Sequence, residues 1–140
     1  MRPVGFNQIE AVLAPVLDPP EPTLSELAMV NGANSSEVRD VIRKYIKPYY
    51  DSFDDRSRKV IADSILYFSH APSLPETIPL DVLPTPFELT QKIDELCAWL
   101  ATELCIDNRE FDIRDCEYSE DLNVVHRLTR VKPPVPSGAN

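Results

Sequence analysis

Residues Ser52–His70 read SFDDRSRKVIADSILYFSH. Ser52-Phe-Asp-Asp55 offers capping oxygens at the start of a helix. Ile61, Ile65 and Phe68 then recur at helical spacing, with Val60, Leu66 and Tyr67 flanking them. The last two turns are apolar nearly all round, and a helix of that kind must be surrounded. The pattern predicts a central helix over 52–70 with the other elements packed about it.

Its main partner is legible downstream. Thr85-Pro-Phe-Glu88 combines a cap, a proline in the first turn and a glutamate three residues on. Leu89, Ile93, Leu96, Cys97, Leu100 and Leu104 then mark one face of a long helix ending near Ile106. The expected core is Ile61, Ile65, Phe68, Ile93, Leu96 and Leu100.

Upstream, Phe6, Ile9, Val12 and Leu13 suggest a short first helix before Pro15. Thr23-Leu-Ser-Glu26 matches a capping box and opens a helix to about Val30, which Asn31-Gly32 stops. Asn34-Ser-Ser-Glu37 is a second such box. The apolar stripe after it is Val38, Val41, Ile42, Tyr45, Ile46 and Tyr49, and Pro48 should kink or end that helix.

After Asp107-Asn108 the period shortens to two. Phe111 and Ile113 alternate with Glu110, Asp112 and Arg114, and Val124, Val125, Thr129 and Val131 favour a strand. This predicts a β-hairpin turning at Ser119-Glu120-Asp121, although Leu122, Val125, Leu128 and Val131 also fit a helix. The expected architecture is a single α+β domain over residues 1–132, with about five helices and a C-terminal β-hairpin. A proline-rich tail over 133–140 follows it.

Composition bounds the function. The chain has 140 residues, 15.8 kDa, 43% hydrophobic and 26% charged residues. Such a chain can bury roughly two-thirds of its unfolded surface without staples. Only three glycines occur, so neither a phosphate-cradling loop nor a dinucleotide fingerprint can be built. No apolar run approaches the roughly 20 residues of a membrane helix. Cys97, Cys105 and Cys116 are odd in number and lack Cys-x-x-Cys spacing, which suits reduced thiols in a cytoplasmic protein.

Catalytic chemistry is hard to assemble from these residues. His70 and His126 have no cysteine or histidine at ligand spacing, so no metal site is expected. Ser64, Ser69 and Ser73 lack a nucleophile elbow. The aspartates lack the glycine and terminal glutamate of a calcium loop. The reading is a protein without enzymatic activity, metal or cofactor.

Charge is the more informative property. There are 23 acids against 14 bases, a net −9. Residues 39–59 hold seven bases and four acids, whereas residues 60–140 hold six bases and fourteen acids. The acids concentrate in Asp107, Glu110, Asp112, Asp115, Glu117, Glu120 and Asp121, with only Arg109 and Arg114 among them. Self-repulsion there does nothing for folding, so a basic protein partner is expected. Trp99 lies off the Leu89–Leu104 stripe and is a candidate anchor for the same interface.

Leu24–Arg43, LSELAMVNGANSSEVRDVIR, resembles the helix-turn-helix of DNA-binding regulators. Ala28 stands at the small position of the first helix, Gly32 at the turn, and Leu27, Val38 and Val41 at the locking apolar positions. The resemblance implies base contacts from Asn34, Ser35, Ser36 and Arg39, and phosphate contacts from Arg43 and Lys44. In size, acidity and lack of catalytic motifs the whole chain resembles toxin-neutralising immunity and antitoxin proteins. That likeness implies a cytoplasmic inhibitor, a monomer or weak dimer, that occludes a basic toxin by direct complex formation. The helix-turn-helix regulator is the alternative, and an adaptor or structural subunit of a larger assembly is the third reading.

Overall fold

The computed structural model describes residues 2–70 and 83–131. The chain begins with β1 (Arg2–Val4), then α1 (Phe6–Leu13) and a 3-10 turn over Ala14–Val16. α2 (Thr23–Ala28), α3 (Ser35–Val41), α4 (Lys47–Asp51) and α5 (Asp55–His70) follow. After the undescribed stretch come α6 (Ile93–Glu103), a 3-10 turn over Ile113–Asp115, β2 (Cys116–Tyr118) and α7 (Leu122–His126). The described residues are mainly helical, with one small two-stranded sheet. The tail expected over 133–140 lies outside them.

α5 is the hub, packing against α6, α1 and β1. Its start is fixed by Asp54, whose carboxylate accepts from the Ser57 N–H at 2.8 Å and is held below its usual pKa by that bond. Ile61, Ile65, Phe68, Ile93, Leu96 and Leu100 are all buried, as the two apolar stripes require. α1 adds Ile9, Val12 and Leu13, and the α3–α4 helix adds Val38, Val41, Ile42 and Ile46.

Pro48 does not end its helix but follows a distortion in it. Ile42–Ile46 forms a π turn, with the Lys47 N–H bonded to the Ile42 carbonyl, and the helix runs on into α4. A widened turn accommodates a ring that would otherwise press on the preceding turn and removes the need for its missing N–H. Asn34 caps α3 as expected, accepting from the Glu37 N–H at 3.1 Å. α2 is capped differently: the Glu21 carboxylate, not Thr23, accepts from the Ser25 N–H at 2.7 Å.

Two further expectations are corrected. The Thr85-Pro-Phe-Glu88 signal does not open α6, which begins at Ile93. Residues 85–92 cross the core instead, burying Phe87 and Leu89, while the Gln91 amide donates to the Gly32 carbonyl at 2.6 Å. Tertiary burial outweighs the local cap. The C-terminal β-hairpin is also absent. β2 pairs in parallel with β1, in the register Arg2–Cys116, Pro3–Glu117 and Val4–Tyr118. Residues 122–126 are helical, so of the two periodicities at Leu122–Val131 the helical one prevails at its start.

The last described residues return to α5. Phe53 and Arg130 form an isolated antiparallel bridge, and the Val131 N–H donates to the Ser52 carbonyl at 2.6 Å. The Thr129 N–H donates to the Ser57 hydroxyl at 2.7 Å.

Candidate protein-binding surface

The acidic segment starts where α6 ends, and that end is built from the backbone. Cys105 adopts a left-handed conformation at φ 56°. The Cys105 N–H reaches the Thr102 carbonyl at 3.2 Å and the Ile106 N–H reaches that of Ala101 at 3.0 Å. This is a Schellman ending with cysteine where glycine is usual. It turns the chain away from the core and leaves Cys105 exposed.

From there the chain runs over the surface and is fastened at β2. The Ser119 N–H donates to the Val4 carbonyl at 2.8 Å. Tyr118 stacks edge-on to Phe68 with ring centroids 6.2 Å apart, and its ring lies 6.5 Å from that of Tyr67. Gly5 sits beneath: a β-carbon there would meet the Ser119 carbonyl oxygen, and its N–H donates to the Ser64 hydroxyl at 3.2 Å. The segment is thereby fixed to the C-terminal half of α5.

The seven acids do different jobs. Asp107 clamps Arg109 at 2.7 and 3.0 Å, which holds its carboxyl at about 2. Asp112 clamps Arg114 at 2.9 and 3.1 Å and is likewise lowered. Asp121 caps α7 by accepting from the Asn123 N–H at 2.9 Å. The Tyr118 hydroxyl donates to Glu120 at 3.2 Å. Glu110, Asp115 and Glu117 are exposed and make no ion pair among the described residues. Tyr118 and Leu122, 37% and 57% exposed, add apolar surface beside them. Neither is among the residues the sequence pointed to, Leu122 because it fits an apolar helical stripe.

A cleft of about 220 Å³ lies between this segment and α5, with Arg2, Lys59, Asp63 and Glu110 in its lining. Arg2 pairs with the nearly buried Asp63 at 3.3 Å. Burial pushes Asp63 up, against the pull of Lys59 and Arg2, and burial raises Tyr50 to about 12. Among the described residues, its lining holds no histidine, cysteine or serine. The one ion pair shown in it, Arg2–Asp63, ties β1 to α5.

Trp99 is half-buried and packs against the core from α6. The residues assigned to nucleic acid fall on α3 and the turn after it. Asn34, Ser35 and Ser36 are exposed, and Asn34 is occupied as the α3 cap. Arg39 donates to Glu103 of α6 at 2.7 Å, and Arg43 reaches the same carboxylate at 3.3 Å while also pairing with Asp40. Lys44 lies 3.5 Å from Glu26. Ala28 is exposed, and Gly32 does not adopt a positive φ.

Among the described residues, no group of three or more histidine, cysteine or acidic side chains is placed to hold a metal ion. No helix there is long and apolar enough to cross a membrane. Neither the family models, nor the curated proteins, nor the solved structures compared with this chain give a match.

Proposed function

We propose that this protein is a non-enzymatic binding protein of the immunity or antitoxin type, which neutralises a basic partner protein by direct complex formation. The carrying observation is the concentration of exposed, unpaired acids in one segment, Glu110–Glu117. Arg39, Arg43, Lys44, Lys47 and Arg58 are each engaged with a carboxylate of this chain, whereas the exposed Arg56, Lys59, Lys92, Arg127 and Arg130 lie outside Glu110–Glu117 in sequence. Glu110, Asp115 and Glu117 are exposed and make no ion pair among the described residues, and the exposed Tyr118 and Leu122 follow them in the chain. Exposed charge of one sign with apolar side chains in the same segment suits a partner of the opposite sign, with the charge governing encounter and the apolar contacts governing lifetime.

The test is co-expression with the product of the neighbouring gene, followed by stopped-flow mixing of the two purified proteins. The expected result is relief of growth arrest and an association rate that falls with salt. Glu110→Lys, Glu117→Lys and Glu120→Lys together should slow association at least about tenfold without unfolding the chain. Failure to relieve arrest, or association indifferent to both salt and these reversals, overturns the reading.

A further inference from the structure

A two-stranded sheet leaves an outer edge on each of its strands. The Ser119 N–H bond to the Val4 carbonyl, at 2.8 Å, and the Pro3–Glu117 register set the phase of the parallel ladder. Alternate residues of each strand turn their backbone groups to the partner strand. Glu117 and Ser119 therefore face β1, while the Tyr118 N–H and carbonyl and the Cys116 carbonyl face outward. These three groups have no partner among the described residues. The Cys116 N–H is already engaged with the Ile113 carbonyl. The other edge is blunted, because the outward residue of β1 is Pro3, which has no N–H to donate.

Side chains alternate across the strand. Tyr118 and Cys116 take the α5 face, where Tyr118 meets Phe68, and Glu117 takes the opposite face and is exposed. A strand added at this edge lays one set of its side chains beside Tyr118, which is 37% exposed, and the other beside Glu117. A second copy of this chain would set acid against acid here. The stretches 71–82 and 132–140 hold three prolines each, and every proline lacks the donor a ladder uses. We propose that the outer edge of β2 receives an extended segment of the basic partner, alternating basic with apolar residues, which adds as a third strand. This rests on the protein-binding reading above and deepens it, naming backbone hydrogen bonds as the contact that the acidic charge steers.

The experiment follows hydrogen exchange at backbone amides of the full chain, labelled with nitrogen-15. In the free protein the Tyr118 amide should exchange faster than those of Glu117 and Ser119, which the ladder holds. A short synthetic peptide alternating lysine and valine should slow exchange at Tyr118 at least about tenfold. A glutamate–valine counterpart should leave it unchanged. The lysine–valine peptide N-methylated at every amide keeps its charge but has no backbone donors, and should bind at least about tenfold more weakly. Glu117→Lys should weaken the unmethylated peptide. Slow Tyr118 exchange in the free protein, no protection by the basic peptide, equal protection by the acidic one, or equal binding of the methylated one overturns the proposal. The two readings separate: a natural partner slowed by Glu110→Lys and Glu117→Lys, whose binding leaves Tyr118 exchange unchanged, retains the first and removes strand addition.

Discussion

The backbone carbonyl of Glu88 occupies the space that a β-carbon on Gly32 would need, with the Phe87 ring 3.4 Å from the same point. The glycine after α2 is thus required by a long-range crossing, in which residues 85–92 pass over the α2–α3 turn. Its φ is not positive, so the left-handed turn that glycine usually serves is not its reason here. Gly32→Ala should destabilise by about 1–3 kcal/mol, because backbone must move to admit the methyl group. A urea midpoint equal to that of the unaltered protein would show that the crossing is not held this closely.

Cys105 holds the opposite kind of position. Its φ of 56° costs an L-residue roughly 1–2 kcal/mol. Cys105→Gly should therefore stabilise by about 0.5–1 kcal/mol after allowing for the freer unfolded chain, and Cys105→Val should destabilise. Thiol labelling of the native protein should follow exposure: Cys105 first, the half-buried Cys116 next and Cys97 last. Burial raises both Cys116 and Cys97, and Cys97 far more strongly. Rapid labelling of Cys97 would contradict its place between α5 and α6.

The core prediction is direct. Ile65 is 0% and Leu96 2% exposed, at the facing stripes of α5 and α6. Ile65→Ala or Leu96→Ala should each cost about 2–5 kcal/mol through lost transfer energy and the cavity left behind. A loss under about 1 kcal/mol at either site would mean that the stripe is not a packed interface.

Acid titration should show two carboxylates working in opposite directions. Asp107 is lowered from 3.8 to about 2 by its bonds to Arg109. Its contribution is present above the unfolded value and is lost as pH falls through that interval. Asp63 is raised by burial, so its contribution is fullest below the unfolded value and declines as pH rises through its higher folded value. Asp107→Asn should flatten the loss of stability between pH 3.8 and 2. Asp63→Asn should gain on the unaltered protein as pH rises through the carboxylate range, provided Arg2 keeps its bond to the new amide. Urea midpoints across the acid range measure both, and a uniform offset with no pH dependence in either variant would refute the assignment.

Local sequence alone determined the helical core. Ile61, Ile65 and Phe68 face Ile93, Leu96 and Leu100 because 3.6-residue periodicity puts each set on one stripe, and burial of such stripes is obligatory in water. The Asn34 cap and the acidity of residues 107–121 were legible for the same local reason. Tertiary structure decided the rest. β2 finds its partner at Arg2–Val4, more than a hundred residues away, and no short-range pattern encodes that register. The capping signal at Thr85 yields to the burial of Phe87 and Leu89 across Gly32. The roles of the charges were also tertiary. Arg39 and Arg43 are consumed by Glu103 of a distant helix, whereas Asp107 and Asp112 pair locally with arginines two residues on, and Glu110, Asp115 and Glu117 are left exposed. Sequence counts charges, but a charge's availability depends on which groups the fold places within hydrogen-bonding reach of it.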